Sequence, residues 1–280
     1  MKKLLFLSLF STLIFAQNNI IVSILPQKIF VDKIGGDKVN TTIMVEAGAS
    51  PHNYSPKPSQ MKAVSKADIY FSIGVEFEKI WLEKFSHQNK DLKVIDVSTS
   101  VQKQTSEEHH DSHKHQHHEE LDPHIWVDPL NVKIIAQNIY NALIAEDENN
   151  SAYYKENLKV FLEELDSLDS DIKTILEKTP KNSSFMVFHP SWGYFAKRYH
   201  LKQLPVEIEG KEPKMKALVK LMKQARKENV HAIFTQPEFS DKSAQIIAKN
   251  LNIKVIKTSP LAKNWSENLK NLAKAIANKE

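Results

Sequence analysis

The stretch Ser151-Ala-Tyr-Tyr-Lys-Glu-Asn-Leu-Lys-Val-Phe-Leu-Glu-Glu-Leu-Asp-Ser-Leu-Asp-Ser-Asp-Ile-Lys-Thr-Ile-Leu-Glu-Lys178 carries one uninterrupted helical pattern. Leu158, Phe161, Leu162, Leu165, Leu168, Ile172 and Leu176 recur at three- and four-residue spacing, so they form one apolar stripe while the charges turn elsewhere. Asn149-Asn150 precedes the segment and Thr179-Pro180 closes it, because proline cannot continue a helix. At 1.5 Å per residue the helix would run roughly 40 Å, about the length of a small domain. Such an element reads as a rigid spine between two bodies.

Both flanks of the spine alternate strands with helices. Ahead of it, residues 19–25, 38–45, 68–73 and 93–97 read as strands, with helical stretches at 27–34, 59–65 and 77–85. Behind it, strands are expected at 184–188, 231–234 and 254–257, and helices at 192–199, 213–228, 240–251 and 265–278. Alternation of this kind implies an α/β fold of two lobes, each with a mostly parallel sheet flanked by helices, joined by one long backbone helix. The boundaries that follow are a signal peptide over 1–16, an N-terminal lobe over 17–148 that includes a histidine-rich loop at 105–120, the connecting helix over 149–179 and a C-terminal lobe over 180–280.

Lys2 and Lys3 precede an apolar stretch from Leu4 to Phe15 and then the small residue Ala16, the layout of a cleavable export signal. That stretch is too short to span a bilayer, and no later one approaches the roughly 20 apolar residues a membrane helix needs. The chain contains no cysteine, which excludes a disulfide framework, a thiolate zinc cage and a lipid-bearing cysteine at the cleavage point. The expectation is a freely diffusing periplasmic monomer, exported by a cleavable signal, not lipid-anchored and not inserted in the membrane afterwards. Removing sixteen of the 280 residues leaves 264, and losing two lysines lowers the formal charge from +4 to +2. Nucleic acid is therefore excluded as a partner on electrostatic grounds.

Six of the twelve histidines, His109, His110, His113, His115, His117 and His118, lie in one charged run. Glu107, Glu108, Asp111, Lys114, Glu119 and Glu120 deny that run a core, so it reads as a loose, low-affinity metal trap. Three further histidines have neighbouring prolines that fix the local backbone: His52 in Ser50-Pro51-His52, His124 in Asp122-Pro123-His124, and His189 in His189-Pro190. Loops at strand ends are where ligands of open α/β sheets bind. Three neutral imidazoles suit zinc in tetrahedral geometry, whereas manganese or magnesium calls for more oxygen, and copper and nickel remain chemically admissible. His87, His200 and His231 read as surface or capping residues, and Trp126, Trp192 and Tyr194 as packing.

Pro51-His52-Asn53-Tyr54 with Pro58-Ser59, His124-Ile-Trp-Val-Asp-Pro129 and Phe188-His189-Pro190-Ser191-Trp192-Gly193-Tyr194-Phe195 together resemble the zinc-uptake solute-binding proteins of bacterial ABC transporters, the ZnuA-like members of the cluster A-I class. The likeness continues in Ile208-Glu-Gly-Lys-Glu-Pro213, Phe234-Thr-Gln-Pro-Glu-Phe-Ser240 and Ser259-Pro-Leu-Ala-Lys-Asn-Trp265, over nearly the whole mature chain. It implies one Zn2+ in a cleft between two lobes, with His52, His124 and His189 as ligands, delivery to a membrane permease, and no enzymatic activity. His52 and His124 would come from one lobe and His189 from the other. Manganese-binding relatives commonly carry a carboxylate in place of the third histidine, so His189 favours zinc, and the histidine-rich run matches the mobile loop of zinc members.

This chain departs from the pattern at Ser259, where relatives often have an aspartate that helps to close the metal shell. The fourth ligand is therefore open: water is the first reading and Glu238 the alternative. Other functions use the same ligands, namely binding of Mn, Cu or Ni, or a stand-alone periplasmic metal buffer. A secreted zinc hydrolase is the rival class, but His118-Glu119-Glu120-Leu121-Asp122 has Asp122 where the His-Glu-x-x-His pattern needs its second histidine.

Overall fold

The computed structural model describes residues 17–46, 48–105, 121–207, 211–239 and 241–277. The signal-peptide reading of 1–16 and the histidine run from His109 to His118 lie outside these residues.

The first half alternates β1 (Asn18–Val22), α1 (Leu25–Gly35), β2 (Val39–Ile43), α2 (Pro58–Val64), β3 (Ile69–Ser72), α3 (Glu76–Gln88) and β4 (Lys93–Asp96). Its strands form a wholly parallel sheet of order β2-β1-β3-β4, with Ile20 of central β1 opposite Thr41 on one side and Ile69 on the other. α1 gives way to β2 through Gly36, whose φ of 54° and ψ of −131° suit only glycine; a Cβ there would also collide with the Tyr153 hydroxyl.

Two helices then cross the molecule, α4 (Pro129–Glu146) and α5 (Ser151–Leu176). Helix α5 is the expected spine, and it buries Leu158, Phe161, Leu165, Leu168, Ile172 and Leu176. Helix α4 is not anticipated by the sequence reading. Its start signals are sound, since Asp128 accepts a hydrogen bond from the Leu130 N–H at 2.9 Å and Pro129 takes the first helical position. Its periodicity is diluted, because Ile134, Tyr140 and Ile144 are half-buried beside the buried stripe of Val132, Ile135 and Ile139.

The second half contains β5 (Ser184–Val187), α6 (Gly193–Arg198), β6 (Lys202–Pro205), α7 (Met215–Lys227), β7 (Ala232–Thr235), α8 (Lys242–Leu251), β8 (Lys254–Lys257) and α9 (Trp265–Ile276). Its sheet is again parallel, of order β6-β5-β7-β8. Strand β6 is a second element the sequence reading lacks: it is four residues long and ends in Pro205. A proline is tolerated there because β6 is an edge strand. The fold is thus α/β with two parallel sheets and a long helix between them, as the alternation implies.

The two halves share apolar packing. On β5, Phe185 and Val187 join the main core with α5, while Met186 and Phe188 join a separate core beneath α7 and α8. That alternation is the two-residue period of a strand covered on both faces. Helix α5 packs against α1 and α4 of the first half and α9 of the second. Among the described residues no helix is long and apolar enough to cross a membrane.

Candidate metal centre

His52 lies in the loop after β2, at the carboxyl end of the first sheet. The Phe77 N–H donates to the Pro51 carbonyl at 3.1 Å, which fastens this loop to the start of α3. Glu76, the first residue of α3, places Oε2 3.3 Å from His52 Nδ1. His189 follows β5, at the equivalent edge of the second sheet, and its Nδ1 lies 2.7 Å from Glu207 Oε1. His124 does not follow a strand; it precedes a short 3-10 turn, Ile125–Val127, that leads into α4. Asp122 Oδ1 accepts from the His124 backbone N–H at 2.9 Å and lies 2.8 Å from His124 Nδ1.

Each imidazole therefore has a carboxylate on Nδ1, which fixes the ring and turns Nε2 away from the partner. Orientation of this kind is how metal-ligating histidines are held. The Nε2 atoms of His52 and His189 are 3.3 Å apart, and one ring nitrogen from each of His52, His124 and His189 lies within 4.8 Å of the other two. Two nitrogens about 2.05 Å from a shared tetrahedral zinc would be separated by about 3.3 Å. The rings of His52 and His124 meet that of His189 at 80° and 72°, and Phe239 stacks on His189 with centroids 4.9 Å apart. His124 and His189 are buried, whereas the His52 side chain is 34% exposed and forms the open side of the site.

Burial holds the His189 ring below its ordinary pKa, outweighing the opposing pull of Glu207. Burial would raise Glu76, but its hydrogen bond to His52 prevails and brings it to about 2. The centre therefore favours neutral, lone-pair-bearing imidazole at His189 and an ionised carboxylate beside His52.

The segment carrying His124 is fastened to the second half of the chain. Trp126 Nε1 donates to the Pro260 carbonyl at 2.9 Å, Trp265 Nε1 donates to the Trp126 carbonyl at 3.0 Å, and the Tyr194 hydroxyl donates to the Asp122 carbonyl at 3.0 Å. Trp126, Trp192 and Tyr194 are all buried. Of the other histidines, His200 takes a left-handed turn at φ 55°, and His87 and His231 are exposed. Sequence reasoning missed Glu76, Asp122 and Glu207 as orienting groups. Only Asp122, two residues from His124, carried a local signal.

A profile of the family described as zinc-uptake complex component A, periplasmic, matches residues 20–279. The chain belongs to this ZnuA family. The ScaA manganese ABC transporter substrate-binding lipoprotein of Streptococcus gordonii is 31% identical over 259 residues, covering 86% of this chain and 76% of its own. The ZnuA high-affinity zinc uptake protein of Bacillus subtilis is 28% identical over 251 residues, covering 84% of this chain and 76% of its own. A crystal structure of ZnuA superposes with a TM-score of 0.86 at 40% identity, covering 94% of this chain and 98% of that one.

The protein is thus a metal-binding substrate-binding protein of the ABC-transporter class, whose members are transporter components that work with a membrane permease. Both manganese and zinc proteins stand among the relatives of the ZnuA family member described here. The expectation that the chain is not lipid-anchored is overturned by these relatives: the S. gordonii protein and other streptococcal members are named lipoproteins.

Proposed function

We propose that this chain captures Zn2+ between its two halves, outside the cytoplasmic membrane, and delivers it to an ABC permease for high-affinity zinc uptake. His52, His124 and His189 are the ligands in this reading. The observation that carries it is the 3.3 Å separation of His52 Nε2 and His189 Nε2, with a carboxylate on Nδ1 of each of the three rings. That separation fits two corners of a zinc tetrahedron. Three nitrogen donors also favour zinc over manganese, which prefers carboxylate and water oxygen. The lobes in this reading are 17–148 and 180–280, with 149–179 as the spine; the presence of one sheet on either side of α5 supports that division.

The test is competitive titration of the purified protein with Zn2+ and Mn2+ against a chromophoric chelator. Zinc should bind at one tight site and manganese much more weakly, and His189→Ala should abolish the tight site. Equal or tighter binding of manganese would overturn the zinc assignment. Tight zinc binding that survives His189→Ala would overturn the site.

A further inference from the structure

Glu238 follows β7 and stands on the wall of the pocket that the three imidazoles share. Its two carboxylate oxygens have unequal surroundings. Oε1 accepts a hydrogen bond from the Ser259 hydroxyl at 2.9 Å, while Oε2 is shielded from solvent and meets no donor. Ser259 is itself fixed, since its Oγ accepts from the Leu261 N–H at 3.1 Å and its carbonyl accepts from Asn268 Nδ2, on α9, at 2.9 Å. The carboxylate is therefore held by one oxygen, and the other is left desolvated. A charged oxygen in that position is unfavourable unless a cation or a donor meets it.

The three imidazoles are neutral ligands, so a divalent cation among them keeps its full charge and lacks a fourth donor. The other polar side chains on the pocket wall are already committed. Gln236 donates through Nε2 to the His189 carbonyl at 3.2 Å and to Ser191 Oγ at 2.8 Å, and Ser50 Oγ accepts from the His52 N–H at 3.3 Å. Glu76 has its Oε2 on His52. Among the described side chains that line this pocket, Glu238 is the one with a buried oxygen, Oε2, that has no hydrogen-bond partner.

We propose that Glu238 is the fourth ligand of the captured cation, its Oε2 closing the coordination shell while Ser259 holds Oε1. The inference rests on metal capture by the three histidines and deepens it, because it replaces an exchangeable water by an anionic oxygen. The group within 4.8 Å comprises ring nitrogens alone, so ligation requires the Glu238 carboxylate to turn inward about the Oε1 that Ser259 holds. A carboxylate in the fourth position halves the net charge of the centre and leaves no site for an external anion.

Co2+ replaces zinc as a visible-absorbing probe of the full chain, and azide tests the fourth position. The spectrum of Co2+-loaded wild type should not change on adding azide. Glu238→Ala should bind Co2+ at least about tenfold more weakly, the scale of loss when a supporting group of a metal site is removed, and its spectrum should shift with azide. Ser259→Ala, which frees Oε1, should lose less affinity and gain partial azide sensitivity. Far-ultraviolet circular dichroism of both variants checks that they fold, and Glu238→Gln supplies a second, conservative variant with the same expected azide response. An azide shift in wild type, or unchanged affinity in Glu238→Ala, would overturn the assignment of Glu238 and leave the histidine site standing. Failure of wild type to take up Co2+ and Zn2+ would overturn both.

Discussion

At the scale of single residues, the three carboxylates on Nδ1 decide which nitrogen faces the space that the three rings share. Glu207 keeps His189 in one tautomer against a burial that disfavours its charged form, and Asp122 orients His124 through two contacts. Glu207→Gln and Asp122→Asn should each weaken zinc binding by about 10- to 100-fold with the fold intact. Isothermal titration calorimetry measures this, and wild-type affinity in both variants would show the carboxylates to be idle. Gly193 tests the same support from its far side: a Cβ there would sit 2.9 Å from Asp122 Oδ2 and 3.3 Å from Gln203 Nε2. Gly193→Ala should push Asp122 off His124 and lower zinc affinity several-fold, an effect the calorimeter would miss only if Asp122 can shift without turning the ring. The histidines were legible in sequence because prolines mark them. Glu76 and Glu207 were not, because the fold brings them to the rings from separate loops and elements.

At the scale of elements, a buried carboxyl joins three pieces of the first half. Glu78 on α3 accepts hydrogen bonds from the Ser23 hydroxyl beyond β1, from the Ile73 N–H at 2.9 Å and from the Gly74 N–H at 2.7 Å beyond β3. Burial nevertheless outweighs these donors and pushes its pKa up to about 7, from an ordinary value of 4.5. Between those two pH values the unfolded chain has released a proton that the folded chain keeps, so stability falls as pH rises through the window. The loss is on the order of 3 kcal/mol. Glu78→Gln has no such titration, so the stability of wild type relative to this variant should decline between pH 4.5 and 7.5 in urea unfolding. A constant difference would mean that Glu78 is ionised throughout. Element boundaries were readable where one face alone was apolar, as in α5. They were lost in α4, which is half-buried on further sides, and in β6, whose Lys202-Gln-Leu-Pro205 has neither alternation nor length.

At the scale of the molecule, the sequence discloses two sheets and a spine but not that both halves share a core, since Phe185 and Met186 look alike in sequence and enter different cores in the fold. The shared core and the Trp126 and Trp265 hydrogen bonds place His124 under the control of both halves. The described residues that flank the histidine-rich run meet each other. Thr105 pairs with Leu121 in an isolated antiparallel bridge, and the Asp122 N–H donates to the Gln104 carbonyl at 2.9 Å, so the residues on either side of positions 106–120 lie side by side. A short turn can therefore replace residues 106–120 without moving Asp122 or His124. In that deletion the tight zinc site should keep its affinity, while the additional weak zinc equivalents that calorimetry is expected to detect in the full chain should disappear. His189→Ala should do the reverse, losing the tight site by orders of magnitude and keeping the weak ones. If the deletion weakened tight binding as much as His189→Ala does, capture by the three buried and half-buried rings would be the wrong account of this molecule.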